Sequence, residues 1–161
     1  MKTLFMGTPD FALDTLKYLY ENTELLAVFT KVDKVNGRGN KITFSPVKQF
    51  ALDKGIDVIQ PKSLRVDETY NLIKEYNPDL IVVVAYGMII PKNIIDIPKF
   101  GIINVHSSLL PKYRGAAPIH AAIINGDDKT GVSIMYISEG LDEGDVILTK
   151  ETPIYLEDNL G

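Results

Sequence analysis

Asn104 and His106 stand two positions apart at the end of a short apolar segment, Gly101–Val105. If this segment is a β-strand, side-chain alternation places the amide and the imidazole on the same face. An imidazole exchanges protons near neutral pH, and an amide N–H₂ group can stabilise a developing oxyanion. The pair is therefore a candidate catalytic site. The alternative interpretation of His106 is a core histidine whose ring is satisfied by backbone groups.

Further polar residues follow this strand and recur later in the chain. Ser107, Ser108, Tyr113 and Arg114-Gly115 crowd polar groups into the next loop, and Leu141–Asp145 is a predicted turn. The acids of that turn suit a turn in their own right. A metal site built from His106, Asp142 and Asp145 has a spacing that matches no common ligand pattern, so no metal is expected.

Apolar runs and helical periodicity alternate along the chain, which predicts an α/β fold. The central apolar run is hydrophobic on both faces, as in a parallel strand covered on two sides. We therefore predict a doubly wound, mostly parallel, Rossmann-like sheet with right-handed crossovers. The predicted strands are 3–6, 25–29, 57–59, 80–85 and 101–105, the predicted helices start at Thr8 and Ser45 or span 66–76 and 116–125, and 132–137 with 146–154 form a hairpin-like pair.

The two helix starts share a cap followed by proline. Thr8-Pro9 and Ser45-Pro46 each offer a hydroxyl acceptor at the N-cap and a proline at the first helical position. The segment Lys31–Phe44 between them has glycine, asparagine and charge without periodicity, which predicts a long exposed loop.

Composition is that of a globular chain of 161 residues, enough for one domain. It has no cysteine, which excludes disulfides and thiolate chemistry, and no apolar run of membrane-spanning length. We expect a soluble cytoplasmic protein. Net charge is −4, yet residues 31–48 contain five cations against Asp33, a local net charge of +4.

Taken together, these segments resemble the folate-dependent formyltransferases over essentially all 161 residues. The core resemblance is carried by Asn104–His106 with Ser108–Pro111, by Tyr113–Ile119 and by Leu141–Asp145. Three other segments resemble the members that act on methionyl-tRNA: Gly7–Ala12, Gly37–Gly39 and Ser45–Lys48.

The resemblance implies transfer of the formyl group of 10-formyltetrahydrofolate to the amine of methionyl initiator tRNA, through a tetrahedral intermediate. It implies that Asn104 holds the formyl oxygen and that His106 stabilises the oxyanion and assists proton transfer to the departing folate nitrogen. Asp142 would orient His106.

The resemblance also implies two groups of ligand-binding residues. The folate set is Tyr86, Gly87, Met88, Ile89, Ser108, Leu109, Leu110, Pro111 and Leu141. The tRNA set is Arg38 and Lys41, within the cationic segment. No metal cofactor is implied.

Residues 1–161 would be the catalytic domain of such an enzyme, incomplete at its C-terminal end and without the C-terminal barrel domain of the tRNA-directed members. Leu156–Gly161 resembles the approach to a further helix. A monomer is expected.

Three alternative functions compete with formyl transfer to methionyl-tRNA. A formyltransferase for a small amine, such as glycinamide ribonucleotide or a nucleotide-linked amino sugar, shares the core residues but has no use for a long cationic segment. A dinucleotide-binding dehydrogenase or nucleotide-binding module would need G-x-G-x-x-G after the first strand, where Gly7-Thr8-Pro9 stands instead. A catalytically idle fragment is the third.

Overall fold

The computed structural model describes residues 1–159. These residues fall into two compact units, 1–102 and 103–159. The first unit contains a parallel sheet flanked by helices. Its elements in chain order are β1 (Lys2–Gly7), α1 (Leu13–Asn22), β2 (Glu24–Phe29), β3 (Lys34–Asn36), β4 (Lys41–Thr43), α2 (Pro46–Asp53), β5 (Asp57–Ile59), α3 (Asp67–Tyr76), β6 (Leu80–Val84) and α4 (Lys92–Ile95).

The strand order in this unit is β5-β2-β1-β6, with every pair parallel. β1 and β6 are buried along almost their whole length, so both faces of the sheet centre are covered. The helices pack as two pairs, α1 with α2 and α3 with α4. The parallel α/β arrangement predicted from the sequence is thus confirmed. Of the α-helices in this unit, only α4 was not predicted from the hydrophobic pattern.

The strand order reverses between β1 and β6. The chain runs outward from β1 through β2 to β5 and then returns to β6 on the other side of β1. Gly7 ends β1 opposite Val84, and a Cβ at Gly7 would lie only 2.8 Å from the Val84 carbonyl oxygen. In open parallel sheets ligands bind at the carboxyl ends of strands beside such a reversal.

Thr8 does not cap a helix, contrary to prediction. Pro9 is extended and precedes a 3₁₀ turn, Asp10–Ala12, before α1 begins at Leu13. The Thr8 hydroxyl donates instead to the Tyr86 carbonyl at 3.2 Å, which ties the residues after β1 to those after β6. At Ser45 the same sequence signal gives the predicted cap, because the Ser45 hydroxyl accepts from Lys48 N at 3.1 Å.

The second unit is built on antiparallel pairing. β7 (Ile102–His106) starts at the boundary and is followed by α5 (Pro118–Ile124), β8 (Lys129–Tyr136) and β9 (Val146–Pro153). β8 lies between β7 and β9, antiparallel to both. β8 alternates buried and accessible residues, whereas every residue of β9 is exposed. The predicted hairpin-like pair is confirmed. Within residues 1–159, no helix has the length and apolarity to cross a membrane.

Residues 31–44 form a β-hairpin, where the sequence predicted an irregular loop. β3 and β4 pair antiparallel, with Val35 opposite Ile42 and Asn36 opposite Lys41. Each of their six residues is exposed. A three-residue strand without a buried face leaves no alternation of polar and apolar residues to detect.

Asp33, Lys48 and Gln60 hold the base of this hairpin. Lys48 Nζ donates to Asp33 Oδ2 at 2.6 Å and to Gln60 Oε1 at 3.0 Å, and it lies 3.9 Å from the Phe44 ring centroid. Gln60 Nε2 bonds Asp33 Oδ1 and the Lys31 carbonyl at 2.9 and 3.0 Å. The hydrogen bond from Lys48, followed by that from Gln60, lowers the pKa of Asp33. The Lys48 ammonium group is thus fully engaged in contacts within the protein.

Lys48→Met should free the base of the hairpin and increase tryptic cleavage after Arg38 or Lys41. Because the pKa of Asp33 is lowered in the folded protein, its contribution to stability is complete above the unfolded-state pKa, near 4. That contribution is lost only as the pH falls through the folded-state pKa. A digestion at neutral pH therefore tests the intact clamp. Lys17→Met, on the exposed face of α1, is the control. Equal cleavage of both variants and the parent would contradict this role for Lys48.

Candidate active site

The imidazole of His106 ends β7 and is nearly buried, with 7% of the residue exposed. Its Nε2 lies 2.9 Å from the Tyr113 carbonyl oxygen. Because a carbonyl can only accept, Nε2 carries a proton and donates it. The histidine is thus partly satisfied by backbone, as the core-histidine interpretation required, but only at one of its two nitrogens.

The second nitrogen of His106 faces a carboxylate. Nδ1 lies 3.8 Å from Asp142 Oδ2, and only 11% of the Asp142 side chain is exposed. This separation exceeds a hydrogen bond, so Nδ1 is the ring nitrogen left to exchange a proton. Asp142 lies in the turn after β8 with φ 49°, in the left-handed region. Its Oδ2 accepts from Gly115 N at 2.7 Å, which fixes the carboxylate beside the imidazole.

Asn104 precedes His106 by two residues on β7 and pairs with Met135 of β8. Strand alternation puts the two side chains on one face. The Asn104 side chain is partly accessible and, among residues 1–159, forms no hydrogen bond. Its amide therefore remains available to an incoming oxygen. The unit thus offers a free amide, a ring nitrogen and a fixed carboxylate.

Residues 108–111 lie directly after β7 and are held against β8. The buried Ser133 hydroxyl donates to the Ser108 carbonyl at 2.6 Å and accepts from Leu110 N at 3.1 Å. Ser108 is itself buried, and its hydroxyl donates to the Lys112 carbonyl at 2.6 Å. Leu109 packs over Gly131, where a Cβ would lie 2.5 Å from Leu109 Cδ2. Ser108 thus has a structural role, while Leu110 and Pro111 stay accessible, and Leu141 is 69% exposed.

The other predicted folate residues follow β6 in the first unit. The Tyr86 side chain is buried, its hydroxyl has no hydrogen-bond partner among the described residues, and burial raises its pKa. Gly87 has φ 79° and abuts Lys31, whose Nζ would be 2.8 Å from a Cβ at that position. A side chain there would displace the lysine. Met88 is partly accessible and Ile89 is largely exposed. This segment therefore offers a ligand the backbone of residues 86–87 and the side chains of residues 88–89.

Arg38 and Lys41 both lie on the hairpin, away from its base. Both are exposed, and Arg38 forms no ion pair with any described residue. Lys41 opens β4, and Gly37 before Arg38 has φ 72°. The metal alternative gains no support, because no three ligating side chains cluster within residues 1–159.

Sequence reasoning assigned no role to three residues that shape this site. Tyr113 and Gly115 supply the backbone groups that hold His106 and Asp142, and Asp127 binds the Tyr113 hydroxyl at 2.7 Å. Tyr113 and Gly115 belong to the polar loop that the sequence singled out. Asp127 follows a helix-ending glycine, where an acid signals only a turn.

The pattern of the formyl transferase family matches residues 1–161, and the chain belongs to that family. The methionyl-tRNA formyltransferase of Fusobacterium nucleatum subsp. nucleatum is 58% identical over 158 residues, covering 98% of this chain and 51% of the relative. That of Clostridioides difficile (strain 630) is 56% identical, covering 99% and 52%. The chain thus spans about half the length of these curated relatives.

A solved structure shares the fold at low sequence identity. The phosphoribosylglycinamide formyltransferase from Streptococcus pneumoniae TIGR4 superposes with a TM-score of 0.78 at 21% identity, covering 98% of this chain and 84% of that one. At this identity the likeness establishes the α/β fold alone.

Proposed function

We propose that this chain is the catalytic part of an enzyme that transfers the formyl group of 10-formyltetrahydrofolate to the amine of methionyl initiator tRNA. The observation that carries the proposal is a nearly buried His106 facing Asp142 at 3.8 Å, with an unbonded Asn104 amide on the same strand. Support for the acceptor comes from relatives at 58% and 56% identity that are methionyl-tRNA formyltransferases.

In the proposed reaction the neutral amine attacks the formyl carbon, and a tetrahedral intermediate forms. Asn104 donates to the oxyanion as it develops. Nδ1 of His106 exchanges the proton that leaves the attacking nitrogen and reaches N10 of the folate as the carbon–N10 bond breaks. Asp142 stabilises the cationic imidazole meanwhile. The amine of an aminoacyl ester is readily deprotonated near neutral pH, so little base strength is needed.

Folate contacts are proposed for two segments. In the first unit Gly87 and Ile89 follow β6 beside the reversal of strand order, where ligands of parallel sheets bind. In the second unit Leu110, Pro111 and Leu141 expose apolar surface. A further C-terminal domain, a monomeric state and a cytoplasmic location complete the proposal, the first supported by relatives of about twice this length.

The complete protein should formylate methionyl-tRNA when given 10-formyltetrahydrofolate, because an acceptor of this size can use both the amine site and the cationic hairpin. Product would be measured by acid-stable incorporation of labelled formyl. Glycinamide ribonucleotide and a nucleotide-linked amino sugar are the comparison acceptors. Formylation of either small amine but not of methionyl-tRNA would overturn the proposed acceptor.

Asn104→Ala should lower kcat by roughly a hundred- to a thousand-fold, since one oxyanion donor is worth about 3–4 kcal/mol. His106→Ala and Asp142→Ala should be comparably impaired, and their double variant less than additive, because the two side chains act together. Single-turnover formylation measures all four. Asp145→Ala, an exposed acid of the same turn, is the control and should retain parental activity. Full additivity of His106 and Asp142 would argue against the pair.

The hairpin supports a tRNA acceptor through charge that the protein does not neutralise. Of the five cations in residues 31–48, Lys48 is paired with Asp33, whereas Arg38 and Lys41 are exposed away from the base. Side chains of this kind bind phosphates through counterion release, which makes binding salt-dependent. Val35 and Ile42, each 63% exposed, add an apolar pair to the hairpin.

Arg38→Ala should reduce kcat/KM for methionyl-tRNA on the order of tenfold at low salt and lower the salt slope by about 1, as expected for one lost phosphate contact. The affinity for 10-formyltetrahydrofolate, followed by calorimetry, should stay unchanged. Arg65→Ala removes an exposed arginine of the same unit and serves as the control. Equal loss of folate binding in Arg38→Ala would show that the hairpin is structural instead.

A further inference from the structure

One short backbone segment, residues 112–115, holds both members of the His106–Asp142 pair. The Tyr113 carbonyl accepts from His106 Nε2, and two residues later Gly115 N donates to Asp142 Oδ2. Tyr113 has φ 55°, an unfavourable value for a bulky residue, and Gly115 has φ 99°. A segment with such backbone angles keeps its conformation only where surrounding contacts hold it.

Those contacts converge on Asp127. The Tyr113 hydroxyl donates to Asp127 Oδ2 at 2.7 Å, and Lys112 Nζ donates to the same oxygen at 2.9 Å. Asn125 Nδ2 in turn donates to the Tyr113 hydroxyl at 2.9 Å. The Tyr113 hydrogen bond, then that of Lys112, lowers the pKa of Asp127, so the carboxylate is ionised at neutral pH.

Packing alone does not hold the tyrosine. A cavity of about 100 Å³ opens beside it, lined by Leu109, Lys112, Tyr113 and residues 127–130. On the side that faces this cavity, the tyrosine lacks the dispersion contacts that packed neighbours would provide, so its directional hydrogen bonds matter more to its position. The hydroxyl–carboxylate bond is therefore the contact that fixes the tyrosine, and with it the carbonyl that faces His106.

We propose that Asp127 is a positioning residue of the active site, which holds His106 and Asp142 in their reactive geometry by anchoring Tyr113 and Lys112. The proposal rests on the proposed function insofar as His106 and Asp142 are the reacting groups. Its chain of effect has three steps. Asp127 fixes the tyrosine side chain, the tyrosine fixes the backbone of 112–115, and that backbone orients the imidazole and the carboxylate. A displacement of about 1 Å in such a pair can cost a hundredfold in rate.

The test uses Tyr113→Phe and Asp127→Asn in the complete protein. Tyr113→Phe removes the hydroxyl and keeps the backbone carbonyl, while Asp127→Asn keeps the shape and removes the charge. Asp128→Asn is the matched control, since Asp128 is the adjacent acid, lines the same cavity and has no side-chain hydrogen bond to a described residue. Three quantities are measured: kcat and KM separately, the melting temperature, and exchange of the His106 Nε2 proton by nitrogen-15 NMR.

Both site variants should lower kcat by about ten- to a hundredfold with little change in KM, because substrate contacts stay intact and orientation is lost. Their double variant should be less than additive, since both changes weaken the same contact between the Tyr113 hydroxyl and the Asp127 carboxylate. In both, the His106 Nε2 proton should exchange faster than in Asp128→Asn. An unchanged kcat per folded molecule, or a proton that exchanges as in the control, would overturn the proposal.

The NMR measurement needs no substrate. A protein that formylates no tRNA but loses the slow imidazole proton in Asp127→Asn would leave the positioning role intact and refute the proposed function. A protein that formylates tRNA yet shows parental kcat in both variants would support the proposed function and refute the positioning role of Asp127.

Discussion

The hydrogen bond from His106 Nε2 to the Tyr113 carbonyl is the constraint on which the site depends. It leaves only one ring nitrogen for chemistry, and that nitrogen faces Asp142 across 3.8 Å. The gap is too long for a direct hydrogen bond, and both side chains are nearly buried. A histidine satisfied at both nitrogens would be a structural residue, and one satisfied at neither could adopt many orientations. The observed arrangement fixes the ring without occupying its reactive side.

Antiparallel pairing in the second unit explains why these groups meet. β7 delivers Asn104 and His106 on one face, and the turn that follows β8 carries Asp142 back toward the end of β7. Gly144 in that turn abuts the Tyr136 carbonyl so closely that a Cβ would overlap it. The turn therefore depends on a glycine for its path, and the carboxylate depends on the turn.

The sequence predicted the elements whose burial leaves a pattern and missed those held by tertiary contacts. The run at 80–84 predicts a central strand because all five residues are apolar, and four of them are buried in the structure. Thr8-Pro9 and Ser45-Pro46 are the same cap signal, yet only Ser45 caps a helix. Pro9 is extended, and the Thr8 hydroxyl instead accepts from Lys31 N at 3.5 Å and donates to the Tyr86 carbonyl. Asp127 could not be found, since its partner lies fourteen positions away and an acid after a helix usually only shapes a turn.

The proposed reacting groups and the proposed tRNA-binding cations lie in different units of this chain. Asn104, His106 and Asp142 lie in the second unit, and the cationic hairpin lies in the first. At the base of that hairpin Lys48 is paired with Asp33, so these two charges cancel. The local net charge of +4 is therefore carried by the other four cations of residues 31–48, among them Arg38 and Lys41. Phosphate affinity follows such unpaired cations, because a cation already bonded to a carboxylate must give up that bond before it can neutralise a phosphate and release the counterion held there. Under the proposed function, a substitution of Arg38 or Lys41 would therefore change phosphate affinity without replacing any of the three proposed reacting groups.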